Sequence, residues 1–208
     1  MATGEDRKML LGQALSLEYL TVGWNVIEAV IAISAGIAAN SVALLGFGID
    51  SVVESISGAV LIWRLRAEDK GMDLAAVERL DRRAHKLVAG SLFALAAYVA
   101  IDAVRALWTQ DRPEASVVGI VLTGVSMIVM AWLARAKRRA AALLKSRALE
   151  ADAFQTSACW WLSVIALGGI SLNAVFGWWW ADPVAALGMV AFILKEAREG
   201  WRGEECCC

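Results

Sequence analysis

The sequence is poor in the residues that soluble enzymes use for catalysis and for cofactor binding. Among 208 residues there is one histidine, His85, with two prolines and four cysteines, three of which end the chain at 206–208. The chain contains no nucleophile–base arrangement and no glycine loop for phosphate. We therefore do not expect an enzyme. His85 lies by a basic loop, where a surface role is favoured over a role as metal ligand.

Hydrophobic residues, in contrast, are abundant and occur in long runs. They make up 59% of the chain, and the mean hydropathy is +0.59, whereas soluble domains average about 45–50%. A membrane-spanning helix needs about 20 mostly apolar residues. The sequence predicts an all-α integral membrane protein, one transmembrane domain over 1–208 with no soluble domain and no cleaved signal peptide. Its six predicted spans cover 12–38, 41–63, 87–108, 115–134, 148–171 and 178–197.

The distribution of positive charge predicts the orientation of these spans. With six spans, 18 of the 20 Lys and Arg residues fall at one side of the membrane, and only Arg105 and Arg112 fall at the other. Positively charged loops stay in the cytoplasm, so both termini are predicted to be cytoplasmic in a multi-pass protein of the plasma (inner) membrane. Topology thus explains the basic loops, and nucleic-acid binding is not expected. The tail Cys206–Cys208 would lie where disulfides are disfavoured.

Two acidic residues, Asp50 and Glu54, lie one helical turn apart in the otherwise apolar second span. A charge at the bilayer centre costs from about 3 to more than ~10 kcal/mol, and like charges at i and i+4 also repel each other. No Lys or Arg lies centrally in any predicted span, so pairing with a basic residue is a weak explanation. The pair predicts a site that a cation occupies.

The fifth span offers further donors at a matching depth. Asp152, Gln155 and Cys159 are spaced i, i+3 and i+7, which places them on one helix face. Because spans two and five run in opposite directions, Gln155 falls near the depth of Glu54 and Cys159 near that of Asp50. Gln155 could instead form a hydrogen bond between helices, and Cys159 could be a small core residue.

The predicted ligands are Asp50, Glu54, Gln155 and Cys159, which would provide two carboxylates, an amide oxygen and a thiol. Four such donors suit a tetrahedral divalent ion such as zinc, cobalt, cadmium or ferrous iron, carried as substrate with no permanent cofactor. Metal ligands must be deprotonated, and buried, mutually repelling carboxylates favour the protonated form. The site could therefore exchange metal for protons. Asp152, and Asn25 and Glu28 on one face of span one, are expected to support the ligands or to carry protons.

Three segments of the chain resemble the transmembrane domain of the cation diffusion facilitator family. SVALLGFGIDSVVES resembles the family motif of the second span, with Asp50 and Glu54 at its two ligand positions. ALEADAFQTSAC resembles the motif of the fifth span, and ADPVAAL resembles the start of the sixth. The resemblance implies six spans with cytoplasmic termini and a metal site between spans two and five.

The chain also departs from the family pattern. Gln155 stands where the family has histidine, and Cys159 stands where it has aspartate. The cytoplasmic C-terminal domain of the family does not follow Trp201, so we expect a short form in which a homodimer forms through the membrane spans.

Three functions are consistent with these residues. The first is export of a divalent transition metal by metal/proton antiport, with a metal ion, protons and the lipid bilayer as partners. The second is a non-transporting membrane protein that binds metal, or modulates another protein, through a relic site. The third is a transporter of another cation or small solute, an alternative with which Glu18 and Glu28 in the first predicted span are compatible.

Overall fold

The chain forms six α-helices in a computed structural model that describes residues 4–69, 74–144 and 146–202. Within these ranges every regular element is helical, which confirms the predicted all-α membrane fold. The tail cysteines Cys206–Cys208 lie outside the described residues. The helices are α1 Gly4–Ala39, α2 Val42–Asp69, α3 Leu74–Thr109, α4 Val117–Leu144, α5 Arg147–Phe176 and α6 Ala181–Arg202.

Five of these helices, α1 to α5, are long and apolar enough to cross a membrane. The shorter α6 has 22 residues and carries four charged side chains in its last two turns. The helix α4 continues ten residues beyond 134, where span four was predicted to end. Its extension, RAKRRAAALL, is rich in alanine, leucine, lysine and arginine, which are strong helix formers.

The second helix is central in the bundle, because it packs against α1, α3, α5 and α6. A second set of contacts joins α4 to α1 and α5, and α6 to α3 and α5. The larger hydrophobic core lies around α2, with Leu44, Phe47, Val99, Leu162 and Met189 among its buried members. The two helices that carry the predicted ligands are thus neighbours.

The N-terminus of α2 is capped from the other end of the chain. The Asp182 carboxylate accepts hydrogen bonds from the Ser41 hydroxyl, from Val42 N at 2.9 Å and from Ala43 N at 3.3 Å. Asp182 lies in the first turn of α6, and its carboxylate satisfies free amide groups at the start of α2. This contact holds the N-terminal end of α2 against the N-terminal end of α6.

Candidate metal site

The two acids of α2 are buried in the interior of the bundle. Asp50 and Glu54 are each 4% exposed. Their spacing of four residues places both side chains on the face of α2 that turns toward α5, because each reaches the same cysteine on that helix.

Cys159 of α5 joins the two carboxylates. Its Sγ lies 2.7 Å from Glu54 Oε2 and 3.3 Å from Asp50 Oδ2, and its thiol is a hydrogen-bond donor to both. Cys159 is itself buried, and it is the free cysteine among the described residues. The structure therefore brings together three of the four residues that the sequence proposed as ligands.

Gln155 has a different neighbour. Its side-chain oxygen accepts a hydrogen bond from the Ser57 hydroxyl at 3.0 Å, and the side chain is half-buried. This is the bond between helices that the sequence left open as an alternative. Ser57 follows Glu54 by three residues on α2, so Gln155 lies near the acids but on the far side of Glu54 from Asp50.

Two polar residues of α1 approach the same region. Asn25 is fully buried beside Glu54, and Glu28 is 1% exposed and interacts electrostatically with Asp50 and Glu54. The structure thus places both α1 residues next to the α2 carboxylates, where the sequence expected them to support the ligands or carry protons.

A buried lysine, Lys137, is one of the polar residues that the sequence analysis missed. It was assigned to a cytoplasmic loop, but it lies on the extension of α4 and is completely buried. Its ammonium contacts Glu18 at 3.1 Å, Thr156 at 3.2 Å and the Asp152 carboxylate. The sequence analysis found no Lys or Arg centrally in a predicted span; Lys137 lies in the C-terminal part of α4, past residue 134, and it pairs with Glu18 and Asp152 and not with Asp50 or Glu54.

This lysine determines where Asp152 points. The Asp152 side chain forms an ion pair with Lys137, whereas Cys159, two turns further along α5, contacts the acids of α2. A sequence signal for Lys137 existed. It follows Met130 and Leu133 by seven and four residues, so it lies on the buried face of α4.

The side chains of Asp50, Glu54 and Cys159 are potential metal donors, but they do not form a coordination shell in this structure. Within the described residues, no group of three or more His, Cys, Asp and Glu side chains has the geometry of a metal site. The thiol instead occupies the space between the carboxylates through its hydrogen bonds. A metal ion entering here would have to replace those bonds, and binding through sulfur would release the thiol proton.

An uncharacterized transporter of Synechocystis sp. is 28% identical over 153 residues, which are 72% of this chain and 49% of that protein. The chain thus spans about half the length of the curated relative it matches.

A family model described as the cation efflux transmembrane domain matches residues 19–201. The match runs from the middle of α1 to the last turn of α6, so it includes Asp50, Glu54 and Cys159. It confirms the resemblance inferred from the motifs of spans two, five and six. The chain belongs to the cation efflux family.

Proposed function

We propose that this protein exports a divalent transition-metal ion in exchange for protons, through a site formed by Asp50, Glu54 and Cys159. The observation that carries the proposal is the contact of one buried thiol with two buried carboxylates across the α2–α5 interface. Membership in the cation efflux family supports cation transport in general. The metal, the exchange for protons and the residues are our inference.

The donor set favours ions of intermediate softness. Two carboxylates alone would suit hard cations, whereas a thiolate adds preference for zinc, cobalt, cadmium or ferrous iron. Gln155 would complete a four-donor shell only after its side chain leaves Ser57. The proton side of the cycle would use the acids themselves, with Asn25, Glu28 and Asp152 nearby. Each ion bound would then release protons from the carboxylates and the thiol.

The proposal includes the setting in which the protein works. Large apolar side chains on α1 and α4, such as Val30, Ile37 and Ile128, are more than half exposed, as helices in contact with lipid require. We propose a homodimer formed through such faces in the plasma membrane. Both termini would lie in the cytoplasm.

Transport in proteoliposomes tests the function directly. Purified protein would be reconstituted, and uptake of Zn²⁺, Co²⁺, Cd²⁺, Fe²⁺ and Mn²⁺ would be followed with and without a pH gradient. We expect gradient-dependent flux of at least one soft or borderline ion. Glu54→Gln keeps the shape of the side chain but removes its charge, so flux should fall to the level of protein-free liposomes. Glu114→Gln, in an exposed loop, is the matched control and should transport normally.

A second function is favoured by one contact. The Ser57–Gln155 hydrogen bond holds a candidate ligand away from the acids, which suits a protein that binds metal, or modulates a partner, without moving the ion. If the reconstituted protein binds metal with no flux of any ion, this function replaces the first. Flux in Glu54→Gln equal to that of Glu114→Gln would count against both.

A further inference from the structure

Next to the α2–α5 site, a group of polar side chains on α1 and α4 lies buried without hydrogen-bond partners. Both carboxylate oxygens of Glu28, both polar atoms of the Asn25 amide, the Ser126 hydroxyl and Trp24 Nε1 lack a partner among the described residues. Asn25 and Ser126 are completely buried, and Glu28 is 1% exposed. A folded protein rarely leaves so many buried polar groups together without a ligand or water for them.

These side chains lie near one another on facing helices. Ser126 of α4 and Trp24 of α1 are the polar neighbours of the Glu28 carboxylate, although none of these atoms makes a hydrogen bond of standard geometry. Asn25 and Glu28 are separated by three residues, so they share a face of α1. The group therefore lies at the interface of α1 and α4, beside the Glu28 carboxylate.

Glu54 connects this position to the α2–α5 site. Its Oε2 atom faces the Cys159 thiol, whereas its Oε1 atom is buried without a partner. Asn25 lies beside the same carboxylate. A carboxylate with one oxygen committed and the other free is suited to bridge two cations.

We propose that Glu28, Asn25 and Ser126, with Glu54 as a shared ligand, form a second cation position that takes a hard, oxygen-preferring divalent ion. The inference rests on the proposed transition-metal site, because the two positions share Glu54. All donors here are oxygens, from carboxylate, amide and hydroxyl groups, which is the set that Mg²⁺ and Mn²⁺ prefer. The neighbouring position differs because it includes sulfur.

The charges of the joined site agree with two divalent ions. Asp50, Glu54 and Glu28, when ionised, provide three negative charges, and Cys159 as a thiolate provides a fourth. One divalent ion would leave negative charge uncompensated in a buried region, and Glu196 of α6, which interacts electrostatically with Asp50, Glu54 and Cys159, adds to that charge. Lys137 does not offset this charge, because its single positive charge is shared by two carboxylates, those of Glu18 and Asp152.

Two metal probes with different preferences separate the two positions. The protein would be the full chain with Cys206, Cys207 and Cys208 replaced by serine, so that Cys159 is its one thiol. Cd²⁺ would be followed by its thiolate charge-transfer absorption, and Mn²⁺ by electron paramagnetic resonance. Each would be titrated alone and then in the presence of the other. We expect one Cd²⁺ and one Mn²⁺ to be bound together.

The variants assign each ion to its position. Glu28→Gln should lose Mn²⁺ and keep the Cd²⁺ absorption, whereas Cys159→Ser should lose the absorption and keep Mn²⁺. Ser126→Ala, which removes only a hydroxyl, should weaken Mn²⁺ binding several-fold and provides a second test if Glu28→Gln fails to fold. Glu114→Gln should bind both ions as the parent protein does.

Three results would overturn the second position. They are replacement of Mn²⁺ by Cd²⁺ one for one, loss of both ions together in Glu28→Gln, and Mn²⁺ binding by Glu28→Gln and Ser126→Ala equal to that of the parent. Failure of the transition-metal site would look different, because the Cd²⁺ absorption would be absent while Mn²⁺ remained bound and sensitive to Glu28→Gln.

Discussion

At the scale of single residues, a lysine in the interior of the bundle joins three helices through ion pairs and a hydrogen bond. Lys137 is completely buried between two carboxylates from different helices, Glu18 of α1 and Asp152 of α5. Desolvating three charges is costly, and their attraction compensates only while all members are present. The contact therefore makes the packing of α1, α4 and α5 depend on one side chain.

We predict that Lys137→Met strongly destabilises the protein. Methionine fills a similar volume, but it leaves two buried carboxylates without a cation, and removal of one partner of a buried pair costs about 3–5 kcal/mol. Thermal unfolding of purified protein in detergent should show a clear fall in the melting temperature. Arg139 is exposed and lies two residues away, so Arg139→Met is the matched control and should have the same melting temperature as the parent protein.

Neutralising an acid in the same cluster should partly reverse that effect. The double variant Lys137→Met with Glu18→Gln has one uncompensated charge fewer. Its melting temperature should therefore lie between that of Lys137→Met and that of the parent protein. If Lys137→Met and Arg139→Met have the same melting temperature, the buried ion pairs do not stabilise the bundle.

The residues of the site differ in how far the sequence could predict them. Asp50 and Glu54 stand out because carboxylates are expensive in an apolar span. The opposite directions of spans two and five predicted Cys159 near the depth of Asp50, and in the structure its thiol contacts both acids. Gln155 could not be placed, because an amide is equally suited to a metal or to a serine. Its actual neighbour, Ser57, is set by the rotation of α2 against α5, which spacing alone does not determine.

At the scale of helices, close packing relies on small residues at particular positions. A Cβ atom added at Gly169 of α5 would lie 2.5 Å from the Cβ of Ala185 and 3.1 Å from the carbonyl oxygen of Ala181 on α6. At the adjacent Gly168 an added Cβ would meet nothing within 4 Å. The two glycines therefore separate the effect of packing from the effect of helix propensity.

We predict that Gly169→Ala and Gly168→Ala change stability in opposite directions. The first forces α5 and α6 apart, and overpacking of this kind costs about 1–3 kcal/mol. The second adds a helix-favouring residue in open space, which stabilises a helix by up to about 1 kcal/mol. Melting temperatures in detergent would check both. Equal behaviour of the two variants would mean that α5 and α6 are not in close contact here.

The length of each apolar run predicted where a helix lies more accurately than it predicted the residue at which the helix ends. Window hydropathy locates the apolar part of a span, but α4 continues through a basic, alanine-rich segment that a hydropathy rule assigns to a loop. Helix propensity favours that continuation. The same error hid Lys137, because a residue assigned to a loop is not considered as part of a buried face. The cap that Asp182 provides for α2 was also beyond prediction, because it joins residues 140 positions apart.

At the scale of the whole molecule, the distribution of charge predicts which side of the membrane each connection faces. Nearly all of the Lys and Arg residues lie toward the helix ends that meet the chain termini and the α2–α3 and α4–α5 connections, or in those connections, whereas Arg105 and Arg112 lie at the α3–α4 end of the bundle, whose connection is 110–116. Because positive loops are retained in the cytoplasm, the α3–α4 connection should face outward. The chain contains natural probes for this arrangement, since its tail ends in three cysteines and Cys159 is buried.

A membrane-impermeant maleimide should therefore label the parent protein only from the cytoplasmic side. In intact cells Cys206, Cys207 and Cys208 should remain unlabelled, and they should react after permeabilisation or in inside-out vesicles. The matched variant places Cys at Ala115, an exposed position of the α3–α4 connection, and replaces the three tail cysteines with serine. It should react in intact cells. Labelling of the parent tail in intact cells would show that the orientation is opposite to the predicted one. Metal/proton antiport through Asp50 and Glu54 would then have to run from the opposite side of the membrane.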